Sequence, residues 1–270
     1  MLAGVYKATK KNGETYYRCS ITCGSKHISL GSFPTEGECN KAYQEGKTLL
    51  SDANINLLTY QNHIKYLSYE KCITLINYRD NHIYIKTPIY LQKNYFVYFL
   101  TPTIILKFDN DDLFYYSSHK IQNRGGHLFV TDYGMQYNIL ARYGIKPYAV
   151  KERDYKFANG DDTDFRYSNI ILINKYHGVS AENKNGKTRY LAKIHLNGDF
   201  IVGRYSTEAK AAIAYNKAVD LCKSRGMQKK FPVNYITECS PREYADLYTQ
   251  IKISTRLYKY FKNKNFRTAK

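Results

Sequence analysis

The stretch GVSAENKNGKTRYLAKIHLNGDFIVGRYSTEAKAAIAY, residues 178–215, decides the fold, because its pattern occurs twice in the chain. The earlier copy is GVYKATKKNGETYYRCSITCGSKHISLGSFPTEGECNKAY, residues 4–43. The copies share a Gly-Val pair, an Asn-Gly pair, a Thr-Glu pair and an Ala-Tyr pair, and the offset between matched positions changes only from 174 to 172. Self-similarity of this kind indicates a duplicated structural module.

Each copy predicts a three-stranded antiparallel sheet followed by one helix. Asn12-Gly13 and Asn185-Gly186 are typical of hairpin turns, since both residue types tolerate a positive φ. Thr35 and Thr207 are typical helix N-caps, and a glutamate follows each of them in the first turn. The module is therefore of the α+β class.

The alternation of apolar and polar residues predicts which residues of the central strand face the helix. Those predicted to face the helix are Tyr17, Cys19 and Ile21 in the first copy and Tyr190, Ala192 and Ile194 in the second. Those predicted to face outward are Tyr16, Arg18, Ser20 and Thr22 in the first copy and Arg189, Leu191, Lys193 and His195 in the second. The third strands are predicted at residues 26–30 and 200–202. The second helix has a face of small residues expected to lie closely on the sheet, namely Ala211, Ala212, Ala214, Tyr215, Ala218 and Val219.

The second copy resembles the Apetala-two/ethylene-response-factor DNA-binding domain over about 50 residues. The residues that carry the resemblance are Gly178-Val179, Gly186-Lys187, Tyr190, Ala192, Ile194, Gly203, Tyr205, Thr207, Ala211, Ala214 and Tyr215. The first copy matches more weakly, since Gly37, Glu38 and Cys39 stand where that family usually has alanines. The resemblance implies that the sheet, and not the helix, enters the major groove of duplex DNA.

The resemblance also implies which side chains contact nucleic acid, since they lie on the outward face of each sheet. They are Tyr6, Lys10, Tyr16, Arg18, Lys26 and His27 in the first copy, and His177, Ser180, Lys184, Arg189, Lys193 and His195 in the second. Arg18 and Arg189 are the candidates for bidentate contacts to guanine, and the lysines for contacts to phosphate. Ser180, Glu182 and Ile201 stand where the family has Arg, Arg and Trp, so its base-reading code does not carry over.

Between the copies, residues 60–140 alternate aromatic and aliphatic residues with polar ones, which predicts several short strands. His119 and His127 flank KIQNRGG in this region. One interpretation makes them parts of a shifted active site with Arg124 as a phosphate contact. The other, which we favour, is a polar hairpin with its turn at Gly125-Gly126.

The stretch NGDDTDFRYSNIILIN, residues 159–174, resembles the end of an HNH homing-endonuclease motif. The residues that hold the family's places are Asn159, Gly160, Asp161, Asp164, Arg166 and Asn169. In phage and mobile-element proteins this nuclease domain is often fused to one downstream Apetala-two-like module, and the order here agrees.

The chemistry of that family needs a histidine base and a bound metal ion. Residues 152–158 contain no histidine, and Phe165 stands where the family has an asparagine. We therefore expect a degenerate nuclease domain with no catalytic residue and no cofactor, with Mg²⁺ required only if the site is active. Four aspartates lie nearby, namely Asp154, Asp161, Asp162 and Asp164. They would either bind a cation together or form a solvated acidic loop, and we favour the loop.

The chain carries 41 Lys+Arg and 23 Asp+Glu, a net charge of +18, which points to a polyanionic partner. Residues 176–270 hold 19 of the basic and 7 of the acidic residues. Ser240-Pro241 predicts the start of a helix over residues 241–270. The basic residues expected to contact phosphate along it, or to lie in solvent, are Arg256, Lys259, Lys262, Lys264, Arg267 and Lys270. A helix that binds a partner protein is a further possibility.

Other classes of protein are disfavoured by the composition. The six cysteines form no CxxC pair, so a zinc site is not expected and the thiols are expected to be reduced. No run of 18 apolar residues and no secretory leader occur, so we expect a cytoplasmic protein, associated with the nucleoid of a bacterial host and not with a membrane.

The sequence thus predicts an α+β protein in which two Apetala-two-like modules flank a β-rich degenerate HNH domain. The expected domains are residues 1–58, 60–175, 176–237 and 238–270. The expected function is binding of nucleic acid, foremost double-stranded DNA, by a protein derived from a phage or mobile-element homing endonuclease. Two alternatives stay open: an active metal-dependent endonuclease, and an interaction protein that inhibits a host nucleic-acid enzyme. RNA or single strands also remain possible ligands.

Overall fold

The computed structural model describes residues 2–262 and has a mixed α+β fold built from small antiparallel sheets and helices. The strands are β1 (Val5–Thr9), β2 (Thr15–Cys23), β3 (Lys26–Phe33), β4 (Ile89–Leu91), β5 (Tyr95–Phe99), β6 (Ile105–Asp109), β7 (Ile121–Arg124), β8 (His127–Asp132), β9 (Met135–Asn138), β10 (Tyr155–Phe157), β11 (Ile170–Leu172), β12 (Val179–Lys184), β13 (Lys187–His195) and β14 (Asp199–Tyr205). The helices are α1 (Glu36–Ser51), α2 (Tyr69–Asn81), α3 (Leu113–Ser118), α4 (Glu208–Ser224), α5 (Pro241–Gln250) and α6 (Thr255–Lys262). None of the helices among these residues has the length and apolar character needed to cross a bilayer.

The chain divides into two compact units. The N-terminal unit runs to Ile139 and also takes in Asn159–Asn169, so it contains β1–β9 and α1–α3. The C-terminal unit takes in Leu140–Ala158 and the chain from Ile170 onward, so it contains β10–β14 and α4–α6. Each copy of the repeat therefore belongs to a different unit.

Both copies of the repeat form the predicted sheet and helix. The sheets have the orders β1-β2-β3 and β12-β13-β14, and all their pairs are antiparallel. Asn185 and Gly186 have φ of 52° and 71°, as a two-residue hairpin turn requires. Thr35 and Thr207 are N-caps whose side chains accept from the backbone N–H groups of Glu38 and Lys210, as predicted.

The helix of each copy packs on its sheet through residues with little side chain. All six small-face residues predicted for α4 are buried. At the entrance of each sheet a glycine lies against a helix tyrosine. A Cβ built on Gly4 would lie 2.1 Å from Cδ2 of Tyr43, and one on Gly178 would lie 2.5 Å from Cδ2 of Tyr215. The glycine of the repeated Gly-Val pair and the tyrosine of the repeated Ala-Tyr pair thus contact each other in both modules.

Two residues of the central strands that were predicted to face outward, Ser20 and Leu191, keep that face but are buried. The register shifts after Cys19 and Ala192 place the extra residue of each bulge in the third strand, at Leu30 and Val202, so the two-residue period of β2 and β13 continues. Leu191 lies between Ser180 and Arg204 in the register of the sheet.

The third strands extend beyond the predicted residues 26–30 and 200–202. β3 continues to Phe33, and β14 covers residues 199–205, because the strands resume pairing beyond the bulge. The sheets are therefore longer than the apolar runs alone indicated.

The region after the first module contains the predicted short strands, in the sheets β4-β5-β6 and β7-β8-β9. The Gly125-Gly126 turn has φ of 58° and 82° and joins β7 to β8, as the favoured hairpin interpretation predicted. His119 lies 3.5 Å from a carboxylate oxygen of Asp132. The prediction missed α2, whose apolar residues pack into the core of the first module and obscure the helical period by covering most of its circumference.

The C-terminal segment was predicted as one helix, and this was wrong. Ser240 and Glu243 form the expected capping box, but α5 ends at Gln250. The next residues are extended, because Ser254 N–H donates to the Val202 carbonyl of β14 at 2.8 Å and Ile251 and Ile253 are buried in the module core. α6 then begins at Thr255. The break lets the chain follow the open edge of the sheet.

The tight glycine contact predicts a large loss of stability for Gly178→Ala. Alanine would carry the strain of a positive φ, about 1–2 kcal/mol, and would also overlap Tyr215 and the Lys193 carbonyl. We expect a loss of about 3 kcal/mol or more in the free energy of unfolding, measured by denaturant titration.

The matched control is Gly186→Ala, where φ is also 71° but nothing lies within 4 Å of the added Cβ. It should lose only the backbone term, about 1–2 kcal/mol. Equal losses in the two variants would contradict the proposed role of the close contact.

Candidate nucleic-acid interface

The outward face of the first sheet brings together four of the six residues predicted there, namely Tyr6, Tyr16, Arg18 and His27. Tyr6 registers with Arg18 across β1 and β2, and Arg18 donates from Nε and Nη2 to the Tyr16 hydroxyl at 3.1 and 3.0 Å. The Tyr6 ring is 52% exposed and meets His27 edge to face at 6.4 Å. Two exposed aromatic rings and a guanidinium on one sheet face suit contact with bases and phosphates.

The lysines of the first module are less closely grouped. Lys26 was predicted on the outward face, and this was wrong: it is exposed at the start of β3, but it registers with Cys23 and lies on the side of the strand that buries Ile28 against the helix. Lys10, before the first hairpin turn, forms an exposed ion pair with Glu14 at 3.0 Å. Arg18 is therefore the strongest cation on this face, since Lys10 is partly neutralised.

The outward face of the second sheet carries both signs of charge. Lys184, Arg189 and Lys193 are exposed as predicted, and Ser180 is half-buried. Arg204 pairs with Glu182 at 2.8 Å, and His195 pairs with Asp199 at 2.8 Å. Lys184, Arg189 and Lys193 are therefore available for contact with phosphate, whereas His195 is engaged in a hydrogen bond to Asp199.

His177 departs most from its predicted place, because it precedes β12 and is half-buried. Its ring meets Tyr148 edge to face at 4.3 Å and Tyr215 at 5.2 Å. Its backbone N–H donates to Asn234 Oδ1 at 2.7 Å, which anchors the residue. Burial, and next the nearby Arg153, lower the pKa of His177, so it is a neutral side chain at neutral pH.

A cavity of about 230 Å³ lies beside His177, entirely within the C-terminal unit. Its walls come from residues 144–154, from the chain between β11 and β12, and from β13 and the start of β14. The charged and aromatic residues that line it are Lys146, Tyr148, Arg153, Asp154, Lys175, Tyr176, His177, Lys193, His195 and Asp199. Sequence reasoning missed Lys146, Tyr148 and Arg153, since residues 144–154 have no periodic pattern.

The cationic tail is exposed where the structure describes it. Arg256, Lys259 and Lys262 project from α6, while Leu257 and Phe261 bury its other face against the module. The predicted contacts Lys264, Arg267 and Lys270 lie outside the described residues. α6 thus holds three cations on the solvent side of the C-terminal unit.

The two units differ strongly in charge. The C-terminal unit contains 25 Lys+Arg and 9 Asp+Glu, a net of +16, whereas the N-terminal unit contains 16 and 14, a net of +2. Nearly all of the excess positive charge of the chain therefore belongs to the C-terminal unit. That unit would attract a polyanion more strongly than the N-terminal unit would.

The residues that resemble the HNH motif hold one another in a closed loop between β10 and β11. Asn159 N–H donates to Asn169 Oδ1 at 2.9 Å, and Asn169 Nδ2 donates to the Asp164 carbonyl at 2.8 Å. Arg166 donates from Nε and Nη2 to the carboxylate of Asp164, which is fully buried, at 2.9 and 2.6 Å. The motif residues therefore stabilise the loop.

The positions expected to carry chemistry have other roles. Phe165 is buried and stacks on Phe108 at 5.5 Å. Its backbone N–H donates to the carbonyl of Lys107, which docks the loop along β6. A side chain that forms part of an aromatic core offers neither a metal ligand nor a proton acceptor.

Three of the acidic residues bind cations of the protein itself. Asp154 pairs with Arg153 at 2.6 Å, Asp161 with Lys107 at 3.0 Å and Asp164 with Arg166 at 2.6 Å. Among residues 2–262, no three His, Cys, Asp or Glu side chains are grouped as a metal ion would need.

These pairings lower the pKa of the carboxyl groups. Burial alone would raise the pKa of Asp164, but hydrogen bonds from the Arg166 side chain and backbone outweigh it. The Thr163 hydroxyl, assisted by Lys107, lowers the pKa of Asp161 to about 2.

Comparison with protein-family models, with curated proteins and with solved structures finds no match to this chain. Function must therefore be argued from the residues and their geometry.

The loop network predicts that Asp164→Asn destabilises the N-terminal unit. The substitution leaves Arg166 without its carboxylate and removes a buried charge-assisted pair, so we expect a loss of about 2–3 kcal/mol in the free energy of unfolding at pH 7. The pKa of Asp164 is lower in the folded protein than in the unfolded chain. The extra free energy of unfolding of the wild type over Asp164→Asn is therefore fully present above the unfolded pKa of about 3.9 and shrinks as the pH falls below it.

The control is Asp111→Asn, an exposed carboxylate of the same unit, which should change stability by less than about 0.5 kcal/mol. Urea titrations at pH 7 and pH 3 measure both effects. A difference between Asp164→Asn and wild type that is the same at the two pH values would refute the ionic role.

Proposed function

We propose that this protein binds nucleic acid, foremost duplex DNA, through the outward sheet faces of its two repeated modules. The single observation that carries the proposal is the net charge of +16 on the C-terminal unit, whose second sheet exposes Lys184, Arg189 and Lys193. The aromatic and arginine side chains on the outward face of the first sheet support the same role. A two-stranded ribbon or small sheet fits the major groove, where arginine reads guanine.

We further propose that the HNH-like loop is the remnant of a homing endonuclease and acts as scaffold. Two observations support this. Phe165 is part of the core, and Asp164 and Asp161 are neutralised by Arg166 and Lys107. Residues 152–158 offer no histidine to activate water.

The proposal predicts duplex binding that weakens steeply with salt, since contacts to phosphate release counterions. An electrophoretic shift assay on duplex DNA, single-stranded DNA and structured RNA, run over a salt series, tests it. The logarithm of the affinity should fall with the logarithm of salt at a slope of about 0.9 for each phosphate contact. If RNA or single strands bind more tightly than the duplex, the duplex assignment is wrong, and if nothing binds at low salt, the whole proposal fails.

Arg189 provides a sharper test. Arg189→Ala should weaken binding to the preferred duplex by about 1–3 kcal/mol if Arg189 reads a base. Arg225→Ala is the matched control, because Arg225 is exposed at the end of α4, on the side of the module away from the outward sheet face. Equal effects of the two variants would mean that only overall charge matters.

Cleavage separates the scaffold role from an active nuclease. We expect supercoiled plasmid to remain intact after incubation with the protein and Mg²⁺ or Mn²⁺. Nicking that disappears in Asp161→Asn would show a working metal site and overturn the remnant assignment.

A further inference from the structure

The cavity of the C-terminal unit has a chemistry that duplex binding does not require. Its volume of about 230 Å³ is somewhat below the usual range of small-molecule sites, about 300–1,000 Å³. A double helix cannot enter a space of this size, but one small ligand can. The wall residues therefore indicate which ligand it would take.

The wall formed by residues 144–154 is held in place by a buried network. Asp154 accepts from the Val150 N–H at 2.8 Å and pairs with Arg153 at 2.6 Å. Asn174, which is also buried, donates to the Arg153 carbonyl at 2.6 Å and to Asp154 at 3.3 Å. These bonds preorganise the wall, and a preformed site loses less entropy on binding.

Most of the charges around the cavity are already neutralised. Arg153 pairs with Asp154, Lys175 pairs with Glu238 outside the cavity, and Asp199 is hydrogen-bonded to His195. Two lysines that line the cavity, Lys146 and Lys193, form no ion pair among residues 2–262. The cavity therefore has surplus positive charge and favours an anion, and both lysines are exposed, so an anion reaches them from solvent.

The other side of the cavity is aromatic. Tyr148 and His177 meet edge to face at 4.3 Å, and the backbone of His177 is held on both sides by Asn234. His177 is a neutral ring at neutral pH, so it accepts or donates one hydrogen bond without repelling the lysines. Rings of this kind stack on a base or receive its polar edge.

We propose that this cavity binds a single phosphorylated nucleotide, with its phosphate on Lys146 and Lys193 and its base against Tyr148 and His177. The nucleotide is either free or the terminal unit of a strand, since both present the same phosphate and base. The inference goes beyond the proposed function, because it needs no contact between the sheets and a duplex.

Calorimetric titration of the full chain with the four deoxynucleoside 5′-monophosphates tests the free form. Deoxyadenosine and inorganic phosphate, used as comparison ligands, should bind at least about tenfold more weakly than the monophosphates, since each lacks one half of the recognition. Inorganic phosphate that binds as tightly as the nucleotides would overturn the assignment of the base site.

A duplex with a one-nucleotide 5′-phosphorylated overhang that carries 2-aminopurine tests the strand form. Its fluorescence should change on binding, whereas the same label in the middle of a blunt duplex should not respond. A response in either the calorimetric or the fluorescence experiment supports the cavity and identifies its source of nucleotide. No response in both overturns it, even where duplex DNA is still retarded in a gel, so this inference and the proposed function fail separately.

Variants locate the site. Lys146→Gln should lower nucleotide affinity about tenfold, the value of one charge-assisted hydrogen bond, and Tyr148→Leu should lower it for nucleotides but not for inorganic phosphate. Lys223→Gln is the matched control, because Lys223 is an exposed lysine of α4 that does not line the cavity. Thermal melts verify that each variant is folded. If Tyr148→Leu unfolds, Lys146→Gln still tests the site, because Lys146 is exposed and its substitution should not affect folding. Equal losses in Lys146→Gln and Lys223→Gln would overturn the proposal.

Discussion

The contact between a glycine and a helix tyrosine sets the geometry of both repeated modules. Gly4 lies on Tyr43 and Gly178 on Tyr215, and in each case a Cβ on the glycine would overlap the ring. The positive φ of these glycines turns the chain into the first strand at the same point. One helix thereby packs closely on three strands, and the opposite face of the sheet is not covered by that helix. The outward positions of Arg18 and Arg189 follow from that division.

The fold of this protein and the distribution of its charge are independent of each other. The repeated module is built twice from the same contacts, yet nearly all of the surplus charge belongs to the unit that contains the second copy. The buried face of α4 carries no charge, and the exposed basic residues of that unit include some on its outward sheet face, at the cavity and on α6. Net charge is an argument about partners and not about fold, and here it distinguishes two modules of similar architecture.

The loop that resembles the HNH motif is held together by its own polar side chains. Asn159, Asp164, Arg166 and Asn169 form mutual hydrogen bonds that close the loop, and a buried carboxylate in such a network is costly to replace. Phe165 instead extends an aromatic core with Phe108. The polar residues of the loop and the aromatic side chain of Phe165 thus both have structural roles.

The sequence by itself determined the local structure wherever one residue type has a specific backbone or capping role. Asn185-Gly186 predicted a hairpin, Thr35 and Thr207 predicted N-caps, and Ser240 with Glu243 predicted a capping box, because each requirement is met within a few residues. The small residues of α4 likewise predicted its buried face.

Only the tertiary structure decided the features that depend on distant partners. The burial of Ser20 and Leu191, and the break at Ile251 where the chain joins the edge of β14, arise from contacts between separate segments. The cavity arises in the same way, since Tyr148 and His177 are far apart in sequence and meet only when the chain folds. Local propensities carry no information about such contacts, because long-range packing selects among conformations that are locally similar in energy.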